Sequence, residues 1–327
     1  MSETSPDDIT STEGSMPVTM PGLVYHPCYS ALNLPERHRY PITKYQTLYQ
    51  ALLAAGLTPE LFNTPAAISA QQLHSIHHKA YVASVCSGTI LPQAMRRIGF
   101  PWSQQLVDRS LVSVAGTRLC AELALSRGIG LHLSGGYHHA RPAEGAGFCV
   151  FNDLAFAASS MLAKGLCKIL IFDLDVHQGD GTAAIFADNP AIITASIHCE
   201  KNFPARKISS DWDIGLAQHC SDTEYLETVS QSLETLLNWH QPELVLFDAG
   251  VDIHSNDELG LLDISTDALY QRDLLVLSAC RSRNIPVAAV IGGGYQRNVT
   301  ALTQLHLQLF KAAFAVNGLT LGAKIKT

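Results

Sequence analysis

The strongest constraint on the fold of this chain comes from the segment Lys168-Ile-Leu-Ile-Phe-Asp-Leu-Asp-Val-His177, an apolar run that ends in acidic and imidazole side chains. Side chains on an extended chain alternate between two faces, so Asp173, Asp175 and His177 would emerge on the same side. Two carboxylates and an imidazole favour a divalent cation, because that much buried charge would otherwise be costly. The alternative is a strand that runs out into a polar loop. The segment therefore predicts a buried strand with a candidate metal site at its carboxyl end.

Short apolar runs alternate with helical patterns along the 327 residues, which is typical of a parallel sheet with helices on both faces. No repeat and no Gly/Ser/Pro linker divides the chain, so we expect a single α/β domain over residues 21–327. Residues 1–20 are rich in Ser, Thr, Asp and Pro and predict a disordered tail. The candidate strands are Leu23–Tyr25, Gly130–Leu133, Ile169–Phe172, Ile192–Ile197, Leu244–Phe247 and Val287–Ile291.

Three of the predicted helices have recognisable ends. Asn152 can cap a helix that stops at Gly165. A second helix starts near Ser221, which has the spacing of a capping box to the glutamate three residues later. A third opens at Ser265 and ends near Asn284, just ahead of a proline.

Charge and cysteine usage exclude several classes of protein. The formal net charge is -7, and no basic run exceeds the pair Arg96-Arg97, so a direct nucleic-acid partner is not expected. The eight cysteines include no Cys-x-x-Cys and predict buried thiols in a reducing compartment. The acidic N-terminus is unlike a signal peptide, and no apolar run reaches the ~18 residues that span a membrane. We therefore expect a soluble, cytoplasmic protein.

Polar clusters follow four of the predicted strands. Ligands of parallel α/β sheets bind beyond the carboxyl ends of the strands, so these clusters are expected to form one site. The clusters are Gly135–His139, Asp173–His177, Asp248–Asp252 and Gly292–Tyr295.

Two of these clusters offer groups that transfer protons or bind a metal. The tandem imidazoles of His138 and His139 can exchange protons near neutral pH, although such a pair is also typical of a surface loop. In the Asp248–Asp252 cluster, Gly250 would let the chain turn so that Asp252 faces the site. The alternatives for Asp252 are a helix cap or a solvated loop residue, and Asp248 competes for the same role.

Glycine-rich turns carry the aromatic candidates. Gly145-Ala-Gly147 followed by Phe148 indicates a narrow passage with apolar walls, or else an ordinary turn into the next helix. Tyr295 follows three glycines, and its phenol could donate to a developing oxyanion. The alternative is a packed tyrosine beside a tight turn. A phosphate-binding loop is not indicated, because the Lys and Ser/Thr of that motif are absent.

Taken together and in this order, the motifs closely resemble the zinc-dependent histone deacetylase family, over roughly residues 22–316. Features near His38–Tyr45, Gln178 and Leu259 are most similar to the class IV branch and its bacterial relatives. The resemblance implies the arginase/deacetylase fold, a single α/β domain around a mostly parallel sheet of about eight strands. The matching segments are Gly135–Ala140, Gly147–Asp153, Asp173–Gly181, Ala249–Asp252 and Gly292–Tyr295.

The family resemblance also implies the ions. Asp175, His177 and Asp252 would hold one Zn²⁺ and leave room for water and the substrate carbonyl, as in a catalytic site. The same ligand set could hold iron(II). A structural K⁺ would lie near Asp173 and Ser196, and its expected ligands are Asp173, Asp175, the Ser196 hydroxyl and the backbone at His177 and Ile197.

For catalysis, the resemblance implies that His139 is the general base and then the general acid, oriented by Asp180. His138 would pair with Asp173 and support the charge of the transition state. Tyr295 would donate to the carbonyl oxygen opposite zinc.

For the substrate, the resemblance implies a lysine channel with Phe148 and Phe203 as walls, Gly147 at the floor and Leu259 at the channel wall. The expected activity is hydrolysis that removes acetyl or longer acyl groups from lysine side chains of proteins. Three alternatives stay open: an arginase-like binuclear manganese hydrolase, a deacetylase of small acetylated amines such as polyamines, and an inactive acyl-lysine-binding protein. Polyamine deacetylases tend to place a glutamate where this chain has Leu259.

Overall fold

The computed structural model describes residues 19–322, which form an α/β domain around one eight-stranded sheet. The strands are β1 (Gly22–Val24), β2 (Phe62–Asn63), β3 (Ile129–His132), β4 (Ile169–Asp173), β5 (Ile192–Cys199), β6 (Trp212–Leu216), β7 (Leu244–Asp248) and β8 (Val287–Val290). Their order across the sheet is β2-β1-β3-β8-β7-β4-β5-β6, and every neighbouring pair is parallel. The prediction of a single α/β domain with about eight mostly parallel strands is confirmed.

Nine α-helices flank the sheet within the described residues. They are α1 (Lys44–Ala54), α2 (Lys79–Ser87), α3 (Pro92–Ile98), α4 (Gln104–Arg127), α5 (Asp153–Ala163), α6 (Asp180–Phe186), α7 (Asp222–His240), α8 (Thr266–Ser282) and α9 (Val299–Val316). Helix α4 packs on α5 and on strands β1, β3 and β8. A second layer runs from α1 through α9 and α8 to α7. The sheet therefore lies between helical layers.

The three predicted helix starts are confirmed by their caps. The side chain of Asn152 accepts a hydrogen bond from the Ala155 amide at the start of α5. Ser221 and Ser265 cap α7 and α8 in the same way, each accepting from the amide three residues later. These bonds satisfy amides that have no partner within the helix.

The arrangement of the central strands brings the predicted site together. Strands β3, β8, β7 and β4 are adjacent, and the polar clusters follow these four strands. In the parallel register of β4 and β7, Asp173 lies opposite Asp248. Strand β4 is buried on both faces, which explains its continuous apolar run. The carboxyl ends of the four strands therefore present their polar residues at one edge of the sheet.

Most of the predicted N-terminal tail, residues 1–18, lies outside the described residues. Thr19 is held in place by two hydrogen bonds. Its hydroxyl donates to the Arg127 carbonyl, and its own carbonyl accepts from the side-chain Nδ2 of Asn317. Within residues 19–322, none of the helices is long and apolar enough to cross a membrane. All eight cysteines are free thiols, and five of them are buried.

Candidate active site

The structure brings Asp175, His177 and Asp252 together in a buried cluster. One ligand atom of each residue lies within 4.8 Å of the others. His177 Nδ1 is 2.9 Å from Asp175 Oδ1 and 3.2 Å from Asp252 Oδ2. Two carboxylate oxygens and one imidazole nitrogen therefore face the same point, as an open three-ligand metal site requires.

Backbone amides hold the two carboxylates in place. Asp175 accepts from the amides of His177 and Gly293, both at 2.9 Å. Asp252 Oδ1 accepts from the Val176 amide at 3.0 Å. His177 Nδ1 lies 3.2 Å from Asp252 Oδ2, but the same nitrogen is closer to Asp175. Asp252 Oδ2 has no hydrogen-bond partner of its own among the described residues. A buried carboxylate oxygen without a partner is costly, and a cation would satisfy it.

The pKa values of the cluster also favour a bound cation. Burial alone would lower the pKa of His177, but hydrogen bonds to Asp175 and Asp252 raise it to about 10. Burial and the charge of Asp175 raise the pKa of Asp252 to about 7. The two carboxylates thus attract a positive charge, which a proton on His177 supplies only in part. The donor set fits a divalent ion held by Asp175, His177 and Asp252.

Glycine is required at position 293 because the chain passes directly over the cluster. A Cβ atom built on Gly293 would collide with Asp252 Oδ2 and with Asp175 Oδ2. We expect Gly293→Ala to weaken zinc binding by about 10- to 100-fold, as measured by competition with a chromogenic chelator. The control is Gly56→Ala, whose added methyl meets no atom within 4 Å. Because the φ of 95° at Gly56 strains alanine, this variant separates a general loss of stability from a loss of zinc affinity. Equal zinc affinity in the two variants would contradict this account of Gly293.

Gly250 has a different role from the predicted one. Its φ is not in the left-handed region, so the chain does not need glycine there in order to turn. A Cβ on Gly250 would instead lie 2.6 Å from Asp175 Oδ2 and 3.0 Å from Asp175 Cα. The glycine lets the loop after β7 approach the loop after β4. In the turn that precedes Tyr295, the positive φ values belong to Gly292 (58°) and Gly294 (146°).

His138 faces a group of carboxylates. Its Nδ1 is 2.7 Å from Asp173 Oδ2 and 4.0 Å from Asp248 Oδ2, and its Nε2 is 3.8 Å from Asp175 Oδ1. Burial alone would lower the pKa of His138, but the charges of Asp173 and Asp175 raise it well above its ordinary value. The environment of His138 therefore favours the charged imidazolium.

His139 is in the opposite electrostatic state. Its Nδ1 lies 2.7 Å from Asp180 Oδ1, and the other oxygen of Asp180 accepts from Arg141 Nε at 2.8 Å and Nη2 at 2.6 Å. Burial and the positive charge of His138 lower the pKa of His139 to about 4. His139 is thus a neutral imidazole at neutral pH, with a free base nitrogen. Sequence reasoning gave no role to Arg141, although it lies two residues after His139.

Aromatic rings surround the cluster. The Phe203 ring centroid is 4.7 Å from that of His139 and 6.4 Å from that of His177. The Tyr295 ring lies 6.2 Å from the His177 ring and 5.8 Å from the Phe148 ring. Phe203 is 41% exposed, so this ring marks the mouth of the site.

Gly147 lies in the wall of this pocket. A Cβ at this position would be 2.5 Å from His139 Cδ2 and 3.2 Å from Phe203 Cε1. Glycine at this position therefore lets the chain pass close to both rings, and the predicted place of Gly147 at the floor of a channel stays a prediction.

The place of the Leu259 side chain at the channel wall stays a prediction, but its backbone is held by two hydrogen bonds. Its amide donates to Asp257 Oδ1 at 2.9 Å, and its carbonyl accepts from Asn202 Nδ2 at 2.8 Å. These bonds fix the loop beside Phe203. Asp257 also accepts from the Tyr295 amide at 2.7 Å, so one carboxylate joins two loops of the site. Asp257 carried no signal in the sequence.

Two further buried ionisable groups, Asp248 and Lys44, adjoin the site. The sequence left open whether Asp248 or Asp252 faces the metal cluster, and the structure places Asp248 beside His138. Both oxygens of Asp248 are buried and have no hydrogen-bond partner among residues 19–322. Lys44 is buried and donates to the Gly292 carbonyl at 2.9 Å, and burial lowers its pKa to about 8. It gave no separate signal in the sequence.

The side chains predicted to bind potassium lie on neighbouring strands. Asp173 on β4 is opposite Ser196 on β5, and the Gly179 amide donates to the Ser196 hydroxyl at 3.4 Å. These contacts keep both oxygens close to the end of β4, and the potassium ion itself stays a prediction.

Comparisons with solved structures agree with the fold. A crystal structure titled HDA15 HD domain has a TM-score of 0.78 at 18% identity and covers 95% of this chain and 90% of its own. A structure titled as an HDAC homolog complexed with SAHA has a TM-score of 0.75 at 21% identity, with coverage of 91% and 88%. At these identities, the two structures show the fold alone.

The sequence comparisons extend from the fold to the family. An uncharacterized protein of Picosynechococcus sp. is 47% identical over 293 residues, which are 89% of this chain and 97% of that protein. Histone deacetylase 2 of Arabidopsis thaliana is 28% identical and covers 86% of this chain and 76% of its own. Acetoin utilization protein AcuC of Staphylococcus aureus is 29% identical, with coverage of 80% and 73%. A family model described as the histone deacetylase domain matches residues 38–311. The chain therefore belongs to the histone deacetylase family of the arginase/deacetylase superfamily.

Proposed function

We propose that this deacetylase hydrolyses the amide bond of acyl-lysine in proteins, with one Zn²⁺ at Asp175, His177 and Asp252. One observation carries the proposal: a neutral imidazole and a charged imidazole lie side by side next to that ligand set. The rings of His138 and His139 are 4.1 Å apart, and the pKa of His138 is raised whereas that of His139 is lowered. Neighbouring groups whose pKa values are pushed apart are typical of divided acid and base roles.

His139 has the properties of the proton carrier. An amide has a poor leaving group, so the attacking water must lose a proton and the departing amine must gain one. The neutral ring of His139 can accept the first proton and return it to the amine. Asp180 holds the ring through Nδ1, and Arg141 fixes Asp180 in turn. When bound, Zn²⁺ would polarise the amide carbonyl and lower the pKa of water from ~16 toward ~7.

The other side chains stabilise charge and exclude water. His138, kept cationic by Asp173, offers a positive charge to the tetrahedral oxyanion, and the Tyr295 phenol can donate to the same oxygen. Phe148 and Phe203 offer apolar walls to the methylene stem of a lysine. A K⁺ near Asp173 and Ser196 would balance the buried carboxylates at the end of β4.

The test is a panel of acyl-lysine peptides of increasing acyl length, run beside acetylated polyamines with metal-replete protein. We expect lysine deacylation that a chelator abolishes and added Zn²⁺ restores. Turnover of the polyamines alone would overturn the protein substrate. An inability to cleave any acyl chain, with zinc bound, would contradict the enzymatic proposal. Restoration by iron(II) and not by zinc would change the metal assignment.

A further inference from the structure

A groove with a basic lining opens beside the catalytic pocket. Its volume is about 870 Å³, and it is formed by residues 32–43 together with residues at the start of α9 and the loop before it. Its ionisable side chains are Glu36, Arg37, His38, Arg39 and Arg297. Three guanidinium groups thus share one groove with a single carboxylate, on a chain whose formal net charge is -7.

The positive charges of this groove are poorly compensated within the protein. Among residues 19–322, no carboxylate lies within 4.0 Å of Arg37 or Arg39, and both side chains are exposed. Arg297 pairs with Glu258 at 3.0 Å, but these side chains are 80% and 34% exposed, and such surface pairs are weak.

The histidine of the groove is held in place by backbone groups. His38 Nδ1 accepts from the Tyr40 amide at 3.1 Å, and His38 Nε2 is 2.8 Å from the Gly99 carbonyl. Both ring nitrogens are therefore engaged within the protein. The net positive charge of the groove comes from its three guanidinium groups.

The groove is continuous with the walls of the catalytic pocket. The Tyr40 ring is 5.3 Å from the Phe148 ring and 6.5 Å from the Tyr295 ring. The His38 ring also contacts Phe148 at 5.9 Å. Arg297 follows Tyr295 by two residues. A residue that flanks an acyl-lysine held between these rings would therefore enter the groove.

We propose that this groove selects acyl-lysines that lie in extended peptide segments with acidic flanking residues. The inference rests on the proposed function, since it places the acyl-lysine in the catalytic pocket. A small-anion site would hold its ligand with buried donors and converging amides. Here the guanidinium groups of Arg37, Arg39 and Arg297 stand in water along an open groove, which suits a flexible acidic chain. Peptides with basic flanks, and cationic polyamines, would be repelled.

The test measures binding directly, so that it does not depend on turnover. Fluorescent peptides of equal length that carry a non-hydrolysable ketone isostere of acetyl-lysine, with acidic, uncharged or basic flanks, are titrated with zinc-loaded protein and followed by anisotropy. At low salt we expect the acidic peptide to bind about fivefold more tightly than the uncharged one. This ratio should fall toward one at about 0.5 M salt, where the Debye length is only a few ångströms. It should also fall toward one in Arg37→Gln/Arg39→Gln.

A matched control removes two charges elsewhere. Lys164→Gln/Lys311→Gln alters the end of α5 and a position on α9 that is 12 residues, or about 18 Å, beyond the groove residue Val299. This control should keep the acidic preference. The same ratio in all three proteins, or no acidic preference in the wild type, would overturn the groove assignment. Displacement by submillimolar inorganic phosphate at constant ionic strength would identify a small-anion site instead. Acidic preference without hydrolysis of any acyl-lysine peptide would uphold the groove and contradict the proposed function.

Discussion

Asp175→Ala is expected to abolish stoichiometric zinc binding and to lower deacylation by at least about 1,000-fold. Asp175 supplies one of the three converging donor atoms, and its second oxygen accepts from the Gly293 amide. The substitution therefore removes a ligand and also releases the loop that closes over the cluster. Metal content by elemental analysis and kcat/KM on an acetyl-lysine peptide are measured on the same preparation.

Alanine at this buried position also removes hydrogen bonds, so a loss of folding must be separated from a loss of metal. Asp175→Asn keeps the size of the side chain and an acceptor oxygen, and it should lose zinc while it keeps the circular dichroism spectrum of the wild type. The control Asp188→Ala removes an exposed carboxylate at the end of α6 and should retain both zinc and activity. Full activity of Asp175→Ala would refute the assignment of this residue to the metal.

Sequence reasoning could predict the strands whose two faces are both buried. Strands β4 and β7 are buried on both faces, so each reads as an uninterrupted apolar run. Strand β6 lies at the sheet edge, and its exposed Asp213 and Gly215 interrupt the pattern. Strand β2 has only two residues, Phe62 and Asn63, at the other edge. Both edge strands owe their conformation to pairing with a neighbour, which local sequence does not encode.

The candidate site divides in a similar way. Alternation predicted a common face for Asp173, Asp175 and His177, but β4 ends at Asp173, and Asp175 and His177 lie in the bend that follows it. The pattern also could not decide which carboxylate of the next cluster joins them, because that depends on the register between strands. The parallel pairing of Asp173 with Asp248 puts Asp248 beside His138, whereas Asp252 lies 3.2 Å from His177 in the cluster proposed to bind the metal.

The sequence also could not predict where the backbone passes close to the carboxylates of the site. Gly250 and Gly293 are both excluded from carrying a side chain by the Asp175 carboxylate, yet neither contact can be inferred from the spacing of the glycines. The half-buried ion pair of Arg141 with Asp180 joins residues that are 39 positions apart. Such contacts follow from the tertiary fold, and the family resemblance supplied only the roles of the residues that its motifs contain.

Tyr295→Phe is expected to lower kcat by about 100- to 1,000-fold with little change in KM, because the lost hydrogen bond would form only to the developing oxyanion. Within the described residues the Tyr295 hydroxyl has no protein hydrogen-bond partner, whereas its amide is held by Asp257. Phenylalanine should therefore keep the ring contacts with Phe148 and His177. Thermal unfolding and zinc content should match the wild type.

The matched control for this substitution is Tyr49→Phe. Tyr49 lies in α1 and its ring stacks on that of Tyr25, so the loss of its hydroxyl should leave kcat unchanged. If Tyr295 only packs beside a tight turn, Tyr295→Phe should leave kcat unchanged, as Tyr49→Phe does. A rise in KM with kcat preserved would mean that the hydroxyl binds the ground-state substrate, since uniform binding does not change kcat. A fall in kcat alone, with zinc still bound, separates the role of Tyr295 from that of the three metal ligands.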